Sequence, residues 1–114
     1  MSATNHIFIM SDALGSGDDE LGRVLMSKLI YSLARDDRTP DSVMFMNGGV
    51  RLACEGSDAL EDLGLLAEKG VTIRSCGTCL DYYGLRDSLK IGIVGTMAFA
   101  ASCFLGDEEV VVVS

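Results

Sequence analysis

No apolar run in this 114-residue chain approaches the roughly 20 residues that a membrane-crossing helix requires. Basic residues are scarce: nine Lys and Arg stand against seventeen Asp and Glu, for a net charge of -8. Such a surface repels phosphate backbones, which argues against nucleic acid as a partner. The opening stretch, Met1 to Asn5, is uncharged and lacks the basic region of a secretory signal. The expectation is a soluble, cytoplasmic protein with no membrane partner. Proline occurs once, at Pro40, and cysteine four times, at Cys54, Cys76, Cys79 and Cys103. A secreted scaffold held by disulfides is normally smaller, richer in cysteine and poorer in core. Here 48% of the residues are hydrophobic, enough for one core without such staples. That favours a reducing compartment, in which exposed thiols stay available for chemistry.

Five short apolar runs read as strands: His6–Met10, Val43–Met46, Val71–Ile73, Ile91–Val94 and Val110–Val113. The first, second and last are nearly continuous, as expected of strands buried on both faces. Helical patterns lie between them. Leu21, Val24, Leu25, Leu29 and Leu33 form an apolar stripe at helical spacing, and Asp18 and Asp19 suit that helix's start. Leu60, Leu63 and Leu66 mark the next helix, with Gly70 as its C-terminal cap. Gly49 to Cys54 adds a helical turn, Thr78 to Tyr83 a short helix stopped at Gly84, and Met97 to Phe104 the last helix. The β-α alternation predicts one α/β domain over residues 1–114, a five-stranded parallel sheet between helix layers. In open sheets of this type ligands bind beyond the carboxyl ends of the strands. Three segments fall there: Asp12–Asp19, Asn47–Val50 and Cys76–Cys79.

The last of these, within "SCGTC", carries the most chemistry. Cys76 follows the third strand directly, and Cys79 lies in the first turn of a helix. Backbone N–H groups at a helix start stabilise a thiolate, which can then attack a disulfide, a persulfide or a selenium compound. Gly77 and Thr78 lie between the two cysteines, and Gly77 lets a substrate approach the backbone closely. Arg74 adds positive charge if it points the right way. The bland alternative is a pair of cysteines that merely pack. Structural zinc requires four ligands. The remaining candidates are Cys54, Cys103, which sits in an apolar helix, and His6, at the opposite end of the sheet; no metal is expected. A thioredoxin-like dithiol reductase shares the C-x-x-C, yet it places the motif earlier and faces it with a cis-proline. Pro40 lies in a turn before the second strand and leaves none for that task.

Two other segments can line a pocket there. Gly15-Ser16-Gly17-Asp18-Asp19-Glu20 follows a strand and opens a helix, but it fits neither the dinucleotide fingerprint nor the P-loop. Its carboxylates occupy the place of a phosphate, and no cofactor is expected. Asp12 remains a candidate for the pocket wall. Asn47, Gly48 and Gly49 end the second strand; the glycines permit a sharp turn, and Asn47 offers an amide. Cys54 and Glu55 follow, either as a thiol and base or as core and surface. Of Tyr82 and Tyr83, one packs and the other rims the pocket or an interface.

Together these segments resemble the DsrE-like sulfur-relay family, above all the carboxyl-terminal domain of YedF-type selenium metabolism proteins. The resemblance rests on "IMSDALGSGDDELG", "FMNGGVRLACEGSDALEDL" and "SCGTCLDYYGL", and runs over nearly the whole chain. It implies a parallel five-stranded sheet between helix layers and homotrimers or larger assemblies. It also implies a sulfurtransferase-like carrier, in which Cys76 holds sulfane sulfur as a persulfide and Cys79 resolves or shares it. YedF-type proteins usually carry a TusA-like domain at the amino terminus, absent from this sequence. The implied sulfur donor or acceptor is then a separate, TusA-like protein.

Overall fold

Each apolar run forms a strand, offset by one to three residues from its apolar limits. The computed structural model describes residues 5–114. β1 spans Asn5–Ile9, β2 Ser42–Phe45, β3 Thr72–Cys76, β4 Ile93–Gly95 and β5 Glu109–Val113. Between them lie α1 (Asp19–Arg35), a 3-10 helix over Asn47–Ala53, α2 (Leu60–Glu68), α3 (Gly77–Tyr82) and α4 (Met97–Leu105). The sheet is parallel throughout, in the order β4-β3-β2-β1-β5.

This order explains the layers. The chain steps from β1 to β4 in one direction and then returns across the sheet to β5. Right-handed crossovers in opposite directions put their helices on opposite faces. Hence α1 and α2 share one face, tied by Arg35 to Asp62 (2.9 Å) and by the Lys69 ammonium donating to Ala34 O. α4 covers the other, with Phe104 against Phe8 (ring centroids 4.9 Å apart) and Phe99 edge-on to His6. β3 leads to the first face and β4 to the second. The topological switch, where such sheets bind ligands, therefore lies between them, at the Cys76–Gly95 pair.

β1 and β2 are buried on both faces, but β5 is not. It is an edge strand: its run of valines gives β-propensity, and Val111 and Val112 remain exposed. The helical stripe also shifts. α1 buries Gly22, Met26, Ile30 and Ala34, while Leu21, Val24 and Leu25 are exposed and Leu29 and Leu33 flank the core. Gly22 explains the rotation. A Cβ there would lie 2.9 Å from the Ala13 Cβ, so only glycine lets the helix seat this closely on the β1–α1 loop. Burying a side chain such as Met26 or Ile30 contributes about 1.5–3 kcal/mol.

The helix ends follow local chemistry. Asp18 caps α1 by accepting from Leu21 N–H at 2.9 Å. α2 closes in a Schellman motif, with Gly70 at φ +94°, Gly70 N–H donating to Ala67 O and Val71 N–H to Leu66 O. No helix among the described residues is long and apolar enough to cross a membrane.

Candidate functional site

β3 ends in Cys76, and α3 begins at the next residue, so both cysteines lie at the carboxyl edge of the sheet. Their exposure differs. Cys76 is 2% exposed and belongs to the core cluster, whereas Cys79 is half-buried. The two thiols are close enough for Cys76 to perturb Cys79. A backbone donor reaches Cys79: the N–H of Asn47, 3.1 Å from Sγ. Asn47 presents that N–H from a left-handed backbone, φ 50°, the one such non-glycine among the described residues. Asparagine tolerates this conformation better than most residues. Tyr83 holds its side chain, donating from the phenol to Asn47 Oδ1 at 2.6 Å, and the Arg51 guanidinium lies 4.1 Å from the Tyr83 ring centroid. Tyr83 is thus the site tyrosine, while Tyr82 projects into solvent.

The electrostatics of Cys79 differ from those expected at a helix start. Burial pushes its pKa up, the Cys76 thiol adds to the rise, and the Asn47 N–H opposes it. Arg74 does not help, because its guanidinium stacks over Phe99 of α4, 3.7 Å from the ring centroid. The cation near the pair is Arg86, bound to Asp81 at 2.6 and 3.0 Å and donating to Gly77 O at 3.4 Å.

The glycines have different tasks. A Cβ at Gly49 would sit 2.3 Å from Ile9 O, so this buried glycine lets the 3-10 helix close onto β1. Gly77 is also buried, with Arg86 and Val94 each 3.0 Å from the position of a Cβ. Both fill packing roles rather than walls of an open pocket. Gly48 is half-buried, and its Cβ position lies 3.3 Å from Arg51 and 3.9 Å from Asp12. Thr78 is exposed in the first turn of α3. The contacts Arg51–Tyr83–Asn47–Cys79, with Asp12 lining the same cavity as Arg51, bring three distant segments to one edge.

A cavity of about 330 Å³ is lined by neither Cys76 nor Cys79. Asp12, Arg23, Ser27, Arg51, Glu55 and Asp58 supply its polar wall. Asp12 therefore lines a space that neither Cys76 nor Cys79 borders, and Arg51 joins its wall to the Tyr83 ring. Cys54 borders this cavity, but it is 2% exposed and donates its thiol to Val50 O, while Glu55 is exposed. Cys54 and Cys103 are core residues, and His6 lies at the opposite end of the sheet from Cys76. Burial raises the pKa of both core thiols. Arg51 supplies a site function that the sequence motifs did not assign, and Tyr83 takes the role left open between it and Tyr82. Their signal was slight: an aromatic and a cation flanking segments already suspected.

Parallel strands, helices on both faces and thiols at the carboxyl edge define an α/β protein of the DsrE-like fold. Two solved structures share this architecture. The ychN protein from E. coli matches with a TM-score of 0.69 and 21% identity, over 98% of this chain and 99% of that one. MTH1491 from Methanobacterium thermoautotrophicum, a protein of unknown function, matches with a TM-score of 0.66 and 19% identity, over 96% and 98%. At these identities the likeness is one of fold. No protein-family model and no curated protein matches the sequence.

Proposed function

We propose that the chain is a sulfurtransferase-like carrier of sulfane sulfur, or of selenium, working through the Cys76–Cys79 pair. The observation that carries this reading is the pair itself: two neighbouring thiols beside the topological switch, one reachable, with a backbone N–H aimed at its sulfur. The difference in exposure gives the accepting role to Cys79, the reverse of the order that the resemblance implies. In loading, the Cys79 thiolate attacks the outer sulfur of a donor persulfide. The donor S–S bond breaks, the donor leaves as a thiol, and Cys79 becomes a persulfide. An acceptor thiolate takes the outer sulfur by the same exchange and restores Cys79. Without an acceptor, the Cys76 thiolate attacks the Cys79 sulfur, forms the Cys76–Cys79 disulfide and expels hydrosulfide. A dithiol reductant then returns the pair to its thiol state.

The partner consistent with this exchange is a separate donor or acceptor protein of the TusA-like kind, in the reducing cytoplasm. The test is intact mass after treating the reduced protein with a persulfide donor. One added sulfur on the wild type, absent from Cys79→Ser, is the expected result. No added sulfur, or undiminished labelling of Cys79→Ser, removes the proposal.

A homo-oligomer, a trimer or larger, is a second reading with its own support. Ile93 of β4, Met97 and Leu105 of α4, and Val112 of β5 are 55%, 61%, 88% and 54% exposed. Apolar residues this exposed mark surfaces that another chain can cover. The alternative function consistent with them is a non-catalytic assembly module. Light scattering coupled to gel filtration decides the assembly state, and a monomer at tens of micromolar chain removes this reading.

A further inference from the structure

The amino-terminal edge of the sheet, opposite the cysteine pair, holds a second cluster of chemistry-bearing side chains. His6, the one histidine of the chain, lies near the start of β1. Asp41 immediately precedes β2, and Glu108 immediately precedes β5. These three strands are neighbours in the sheet. Parallel pairing itself brings the residues to one rim, since His6 stands opposite Ser42 and Asn5 opposite Glu109. One ligand atom from each of His6, Asp41 and Glu108 lies within 4.8 Å of the other two. From this juxtaposition we propose that His6, Asp41 and Glu108 bind a divalent cation of borderline hardness, zinc being the representative case.

The first argument is the balance of charge. The ion-pair partner of Glu108 is His6, at 2.9 Å, and the Asp41 carboxylate has no cationic partner among the described residues. Arg38, close in sequence, is held by Asp36 through contacts of 2.9 and 3.1 Å. Two carboxylates are thus brought together with no Lys or Arg paired to either among the described residues, in a chain that is already strongly acidic. A divalent cation removes that repulsion.

The second argument is the orientation of the imidazole. His6 is 7% exposed, and its Nδ1 is 2.6 Å from the oxygen of the buried Ser42. The hydroxyl can serve either tautomer. With the proton on Nε2, that N–H donates to Glu108 and Ser42 donates to Nδ1. With a cation bound, the proton resides on Nδ1 and is donated to Ser42 Oγ, leaving the Nε2 lone pair for the metal. A ligating histidine almost always has its other nitrogen held in this way. The backbone is fixed too, because Asp41 N–H donates to Asn5 O at 2.8 Å.

One imidazole nitrogen with two carboxylate oxygens suits zinc better than calcium or magnesium, which favour all-oxygen sets. Three protein ligands leave a fourth position to water or another donor.

The test is zinc titration of the metal-free full-length chain against a chromophoric chelator, in the Cys76→Ser/Cys79→Ser background. One zinc per chain is expected. Binding should weaken at least about ten-fold in Asp41→Ala/Glu108→Ala, whose altered side chains are exposed. Glu108→Gln, which keeps the size of the side chain and a bond to His6, should weaken it in the same direction. No zinc in the background protein, or equal affinity in the carboxylate variants, overturns the proposal.

Discussion

Asn47 and Cys79 lie 32 residues apart, yet the N–H of one is 3.1 Å from the sulfur of the other. The contact joins the turn after β2 to the first turn of α3. It couples an unusual backbone conformation to the state of a thiol. Cys79 is also the cysteine with the better access to solvent. Alkylation of the folded protein should therefore modify Cys79 before the buried Cys54, Cys76 and Cys103 by about ten-fold or more. The pH–rate midpoint for Cys79 should lie above its ordinary value of 9.0, because burial and the Cys76 thiol both disfavour the thiolate. Peptide mapping after timed alkylation measures both, and a Cys76-first order would contradict them.

Tyr83→Phe deletes the 2.6 Å bond to Asn47 Oδ1 and leaves the ring beneath Arg51. It should cost about 0.5–1.5 kcal/mol of stability. The freed Asn47 turn should let Cys79 alkylate faster at pH 8, while Cys54 stays protected. Urea unfolding and the same mapping experiment check the two effects together.

Gly49→Ala would place a methyl group 2.3 Å from Ile9 O, a contact that neither backbone can avoid without moving. Overpacking of this kind typically costs about 1–3 kcal/mol. The loss in urea unfolding should fall at or above the top of that range, because the opposing atom is backbone. Gly64→Ala, in α2 with open space at its Cβ, should be neutral or slightly stabilising.

Ser75, fully buried in β3, has an Oγ with no hydrogen-bond partner. Removing an unpaired buried hydroxyl relieves a desolvation cost, so Ser75→Ala should raise stability by about 1 kcal/mol. A clear loss of stability would mean that the hydroxyl is satisfied.

Three thiols, Cys54, Cys79 and Cys103, have their pKa raised by burial. In the unfolded chain they lose protons near 9.0, before the folded chain does. Between the two values the unfolded state binds fewer protons, so folding stability falls as pH rises. This contribution is fully present at neutral pH and is lost above about pH 9. The urea midpoint should drop across that window, and less steeply in Cys54→Ala.

Much of the fold was legible because the evidence for it is local. The runs around Phe8 and Val43 read as buried strands and are. Asp18 and Gly70 end their helices by chemistry that short sequence windows reveal. The errors arose where distant contacts decided the outcome. The valines of β5 look like a central strand, but position in the sheet, not composition, makes β5 an edge. The leucines of α1 outnumber its core residues, yet close seating at Gly22 turns the helix toward Met26 and Ile30. At the site, the cysteines and Asn47 were visible as motifs. Their unequal exposure and the Tyr83 clamp were not, since both depend on how α3 packs after β3.

The order of strands also bears on how the chain is made. β1 is produced first, but its outer neighbour, β5, comes from residues 109–113. Throughout the intervening synthesis, the outer flank of Phe8 and Ile9 presents unpaired backbone groups to any extended peptide nearby. The nascent polypeptide thus carries a sticky seam from the synthesis of β1 until that of β5, and shielding by a holdase or by a partner's strand would matter most in that interval.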